Sequence, residues 1–75
     1  MRRAGTVVGT AQGVLVLRCD DETHPDIGAG VLDEQLAPVG RVVDVFGPVD
    51  RPYLAVTPRS GVEVPRLLGS RLYVR

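Results

Sequence analysis

The chain alternates short apolar runs with polar breaks rich in glycine and proline. Nowhere do apolar residues recur at the 3.6-residue spacing of a long amphipathic helix. Gly5 to Thr10, with Val7 and Val8 at its centre, reads as a first strand. Gln12-Gly13 follows as a tight turn, because glycine adopts the positive φ such turns require. Val14-Leu15-Val16-Leu17 reads as a second strand. Its unbroken apolar run implies cover on both faces, or a closed barrel with a partner outside. Cys19 to Gly28 is a polar loop, Gly30-Val31-Leu32 a short strand, and Asp33 to Leu36 one helical turn at most. Val39 to Phe46 is the strongest strand pattern and Tyr53 to Thr57 its successor. Val62 and Val64 suggest a short extended piece before Pro65, and Leu72-Tyr73-Val74 closes the series. About six strands with turn signals roughly every eight to twelve residues predict an all-β fold, a small barrel formed as one domain over residues 1–75. Closure removes the exposed edges that so small a sheet would otherwise present.

The connection between the two strongest strands breaks the pattern. It runs Phe46-Gly47-Pro48-Val49-Asp50-Arg51-Pro52-Tyr53 and carries two prolines. Each proline removes a ladder donor, fixes φ near roughly −65° and biases the residue before it toward extended backbone. Phe46 and Tyr53, two of the chain's three aromatics, bracket this stiff segment. Aromatics placed this way anchor interfaces, since they bury much area at little entropic cost. A docking surface for a partner and a rigid turn whose rings fill the barrel's end both satisfy the pattern.

Size and charge narrow the possible functions. Seventy-five residues build one modest core, and the single cysteine, Cys19, excludes an intrachain disulfide and fits a reducing compartment. No run approaches the ~20 apolar residues of a membrane span, so no membrane partner is expected. Nine arginines and nine acids leave a formal charge of zero, which argues against a protein whose main task is to neutralise phosphates. Six of the acids (Asp20, Asp21, Glu22, Asp26, Asp33, Glu34) fall in a stretch that holds no arginine. Lysine is absent, so every side-chain cation is a planar guanidinium.

Candidate chemistry is sparse. The loop Cys19-Asp20-Asp21-Glu22-Thr23-His24-Pro25-Asp26 holds thiol, imidazole and carboxylates. It lacks the second ligand pair of a metal site, which leaves a solvated loop or an electrostatic contact with a basic partner. Neither Ser60 nor Ser70 sits in a nucleophile elbow, and a turn separates Asp44 from Asp50, so neither a catalytic role nor a cofactor is expected. If the first and last strands pair, Arg2, Arg3, Arg71 and Arg75 gather into a cationic patch able to touch a phosphate; otherwise they are solvated chain ends.

The string Val39-Gly40-x-Val42-x-Asp44-Val45-Phe46-Gly47-Pro48-Val49-x-x-Pro52-Tyr53-x-Ala55-Val56 closely resembles the signature of the Gar-one subunit of archaeal H/ACA ribonucleoproteins. The related Naf-one assembly factor carries a similar core. More loosely, Gly5-x-Val7-Val8 with Gln12-Gly13-x-Leu15-x-Leu17 looks like the family's opening hairpin, and Gly69 with Leu72-Tyr73-Val74 like its closing strand. The resemblance implies a six-stranded barrel of the translation-factor and reductase type. It also implies a non-catalytic subunit that binds the catalytic domain of a dyskerin-like pseudouridine synthase. In that role the barrel influences a mobile loop that grips substrate RNA, promoting substrate loading and product release in rRNA pseudouridylation. Guide RNA and the other H/ACA proteins are then reached through the complex, with little independent nucleic-acid binding.

Carried over by position, Phe46, Gly47, Pro48, Val49, Pro52 and Tyr53 are the implied docking residues, with Val39 and Gly40 as neighbours. The basic or glycine-arginine-rich extensions of many members are missing here, which points to a minimal, archaeal and cytoplasmic protein. Two rival classes remain open: a stand-alone RNA-binding barrel, and a regulatory or substrate-binding barrel from a fragmented enzyme.

Overall fold

In the computed structural model, which describes residues 1–75, every strand begins or ends at one of the sequence's glycine, proline or polar breaks. The strands are β1 (Arg2–Ala11), β2 (Val14–Arg18), β3 (Gly30–Leu32), β4 (Pro38–Phe46), β5 (Tyr53–Pro58) and β6 (Arg71–Val74). They close into an antiparallel barrel in the order β1-β2-β5-β4-β3-β6, with β6 pairing back onto β1. This is the expected all-β, six-stranded barrel.

Side-chain alternation explains how so short a chain closes. Along one interior row Val7 faces Leu17, Leu17 faces Leu54 and Leu54 faces Val45. The adjoining exterior row runs Thr6, Arg18, Tyr53, Phe46. The core is wholly aliphatic apart from Cys19; Leu15, Leu17, Leu54 and Leu72 are its largest side chains. None of the three aromatic rings belongs to it. Register shifts interrupt β1 at Val7/Gly9 and Arg3/Gly5 and β4 at Val42/Asp44, and such bulges add the bend and twist that closure needs.

At three places the backbone settles what the pattern left open. The run Val14 to Leu17 is not covered on both faces; Leu15 and Leu17 point inward while Val14 and Val16 stand half-buried outside, because a barrel has one interior. Val62 and Val64 do not extend a strand. Val64–Leu67 is a single 3-10 turn with Pro65 in its first positions, where a missing N–H costs no ladder bond. Asp33 to Leu36 makes its one turn without becoming a helix: Asp33 Oδ1 accepts hydrogen bonds from the backbone N–H of Gln35 and Ala37, both at 2.9 Å. The first strand also runs three residues further toward the N-terminus than its apolar centre suggests, held there by pairing with β6.

Antiparallel order sorts the connections by end. One end carries the Cys19 to Ala29 and Gly47 to Pro52 connections and both chain termini. The other carries the Gln12-Gly13 turn and the loops leaving β3 and β5.

Candidate functional site

Phe46 and Tyr53 face each other across the last rung of β4 and β5, on the barrel's exterior. Their rings stack with centroids 5.7 Å apart and planes 22° apart, within the offset-stacked range that stabilises aromatic pairs. Phe46 remains 43 % exposed and Tyr53 half-buried. The connection between them is tied by a hydrogen bond from Arg51 N to Pro48 O at 3.3 Å. Gly47 enters it with φ +86°, and a Cβ there would lie 2.7 Å from Tyr53 Cδ2. Glycine therefore lets the chain turn beneath the Tyr53 ring without displacing it. Val49, at the tip, is 90 % exposed. With Phe46 beside it in the groove lining, Val49 makes the exposed side of the turn apolar over more than one residue.

The acidic loop packs against this turn. Cys19 N donates to Pro52 O at 2.9 Å, extending the β2–β5 ladder by one rung, and Arg51 Nε donates to Cys19 O at 3.2 Å. Between loop and turn lies an open groove of about 360 Å³ lined by Glu22, His24, Val45, Phe46, Gly47, Pro48, Val49 and Pro52. Glu22 and His24 were not among the expected docking residues. Nothing in residues 19 to 28 has periodicity from which their position beside Phe46 follows; the Cys19–Pro52 rung puts them there.

The other expected residues divide by burial. Phe46, Gly47, Pro48 and Val49 are exposed together. Pro52 is buried, its carbonyl spent on Cys19, so it braces the turn and reaches the surface only as groove floor. Val39 is a core residue, and Gly40 is required because a Cβ would collide with the Thr57 carbonyl oxygen. These two place β4 rather than present a side chain to a partner.

Arg2, Arg3, Arg71 and Arg75 do not gather into one patch, the alternative to solvated chain ends. β1 and β6 do pair, but Arg3 is bound to Asp20 at 3.2 Å, and Arg71 sits opposite Thr6 while Arg2 sits opposite Val74. Arg71 thus lies about 10 Å along the sheet from the chain ends. No three His, Cys, Asp or Glu side chains converge as a metal centre would need. Cys19 is 1 % exposed; burial first, then Asp20 and Asp21, push its thiol pKa above the ordinary 9.0, so it stays protonated and unreactive.

Set beside known proteins, the chain matches over residues 1–75 the family model described as Gar1/Naf1 RNA binding region. No curated protein matches it.

Proposed function

The chain belongs to the Gar1/Naf1 family, whose role is RNA-associated, and we propose that it is a non-catalytic subunit of an H/ACA guide ribonucleoprotein. In this reading it docks on the catalytic domain of a dyskerin-like pseudouridine synthase and favours substrate loading and product release in rRNA pseudouridylation. Its setting is the cytoplasm of an archaeal cell, and guide RNA is reached through the assembled particle. The observation that carries the reading is the stacked Phe46–Tyr53 pair on a proline-stiffened turn, outside a barrel whose interior holds no aromatic ring. A preformed turn loses little entropy on binding, so modest contact area yields useful affinity. Control of a partner's loop then requires only that the barrel bind one loop state better than the other.

Tyr53→Ala and Val49→Asp test the surface. Both should weaken co-purification with the synthase while far-UV circular dichroism and thermal unfolding show a folded barrel. Undiminished binding by both variants sinks the assignment of this face.

The family description, which names RNA binding, favours a second reading: a barrel that binds RNA by itself. Charge weighs against it, since the formal charge is zero and Arg3 is already paired.

A further inference from the structure

The side chains lining the groove beside the docking turn are one-sided in their hydrogen bonding. Of the three consecutive acids in its flanking loop, Asp20 holds Arg3 and Asp21 Oδ1 accepts the Thr23 N–H at 2.8 Å. Glu22, the one that lines the groove, is engaged by no hydrogen bond or ion pair. His24 Nδ1 lies 2.9 Å from Pro25 O. A carbonyl oxygen only accepts, so Nδ1 carries the hydrogen in this contact, and in that tautomer Nε2 is the acceptor. Pro48 and Pro52 contribute no backbone N–H to the lining. The groove therefore offers a carboxylate, an imidazole acceptor and apolar surface, and none of its lining side chains is a cation of the arginine type.

The remaining wall is the Phe46 ring. One of its faces is covered by Tyr53, and the residue is still 43 % exposed. The chain's nearest cation on the turn, Arg51, is directed to Cys19 O and does not line the groove.

We infer that this groove receives an arginine side chain of the protein partner, its stem against Phe46 and Pro48 and its guanidinium on Glu22 and His24. A guanidinium has donors and no acceptor, matches a carboxylate in its own plane and stacks on aromatic faces, which is what this lining complements. A phosphate group is the opposite case: it meets a free carboxylate and no cationic side chain in the lining. The inference rests on the docking reading above and adds the chemistry of what the partner inserts.

Two measurements separate its failure from failure of that reading. The first is affinity of the full chain for the synthase at low and high salt, comparing the native chain with Glu22→Gln. Loss of one charge–charge contact at a rim should weaken binding about fivefold at low salt and less at high salt. The second uses amide NMR of the full chain titrated with a capped Val-Arg-Val peptide and with its citrulline counterpart, which is equal in shape but uncharged. The arginine peptide should shift Glu22, His24, Phe46 and Val49, and the citrulline peptide should not.

Equal effects of the two peptides, shifts elsewhere, or the same shifts produced by a single-stranded RNA oligonucleotide overturn the inference. So does an unchanged affinity and salt dependence for Glu22→Gln where Val49→Asp abolishes binding; the docking reading then survives alone. If the synthase does not bind but the arginine peptide selectively marks the groove, the groove chemistry stands and the named partner falls.

Discussion

Two glycines of the signature string do opposite work. At Gly40 a Cβ meets backbone, the carbonyl of Thr57 on the neighbouring strand, and nothing flexible can yield. At Gly47 it meets the edge of the Tyr53 ring, which can swing aside. Gly40→Ala should cost about 2–4 kcal/mol of unfolding free energy, as overpacking into a strand does. Gly47→Ala should cost only about 1–2 kcal/mol, from its positive φ, yet should disturb the aromatic stack and weaken partner binding. Urea unfolding together with a binding titration checks the pair, and equal stability losses contradict the division of labour. Cys19 supplies a pH signature. Its folded pKa is raised, so the folded state holds the thiol proton more tightly than the unfolded chain. That contribution is complete below the ordinary value of 9.0 and disappears as pH rises through the folded pKa. Unfolding free energy of the native chain should therefore decline more steeply above pH 9 than that of Cys19→Ala. Parallel pH profiles for the two proteins refute it.

The hairpin of β4 and β5 is held at its tip from outside rather than from within. A two-residue turn would fix its own register, but Gly47 to Pro52 is six residues long and includes one internal backbone bond. Its remaining ties are to the end of β2: Pro52 O to Cys19 N and Cys19 O to Arg51 Nε. Arg51 is thus a fastening between turn and acidic loop, though its charge would suggest a surface contact. Arg51→Ala should cost about 1 kcal/mol of stability, the usual net worth of one hydrogen bond. Amide exchange at Val49 to Arg51 should accelerate while Leu54 to Val56, inside the sheet, stays protected. Uniform acceleration across β5 instead places the tie in the global fold.

The barrel itself was legible because strand alternation is local: Val39 to Phe46 and Tyr53 to Thr57 show their pairing without knowledge of the rest of the chain. What depended on distant residues was not. Val62 and Val64, two apart, imitate a strand until Pro65 seats itself in a 3-10 turn, and Glu22 joins the docking groove only through the rung between Cys19 and Pro52. The arginine patch failed for the same reason, since Asp20, seventeen positions away in sequence, closes on Arg3. That closure decides how the whole molecule meets nucleic acid. Arg3 is paired, Arg66 lies beside Glu63 and Arg71 is set apart from the chain ends, so a footprint of two or three guanidinium groups on one phosphate backbone is expected. Two or three contacts on a single strand release about two counterions, so log K should fall with log salt at a slope of roughly −1.5 to −2. Binding of a fluorescent 20-nucleotide single-stranded RNA by the isolated chain should accordingly be weak, about 10⁻⁴ M at physiological salt. Asp20→Asn, which frees Arg3 and removes one negative charge, should tighten it severalfold. Submicromolar binding with a slope steeper than about −4 would require a cationic surface this barrel does not present, and would move the protein's work from docking on a partner to gripping RNA directly.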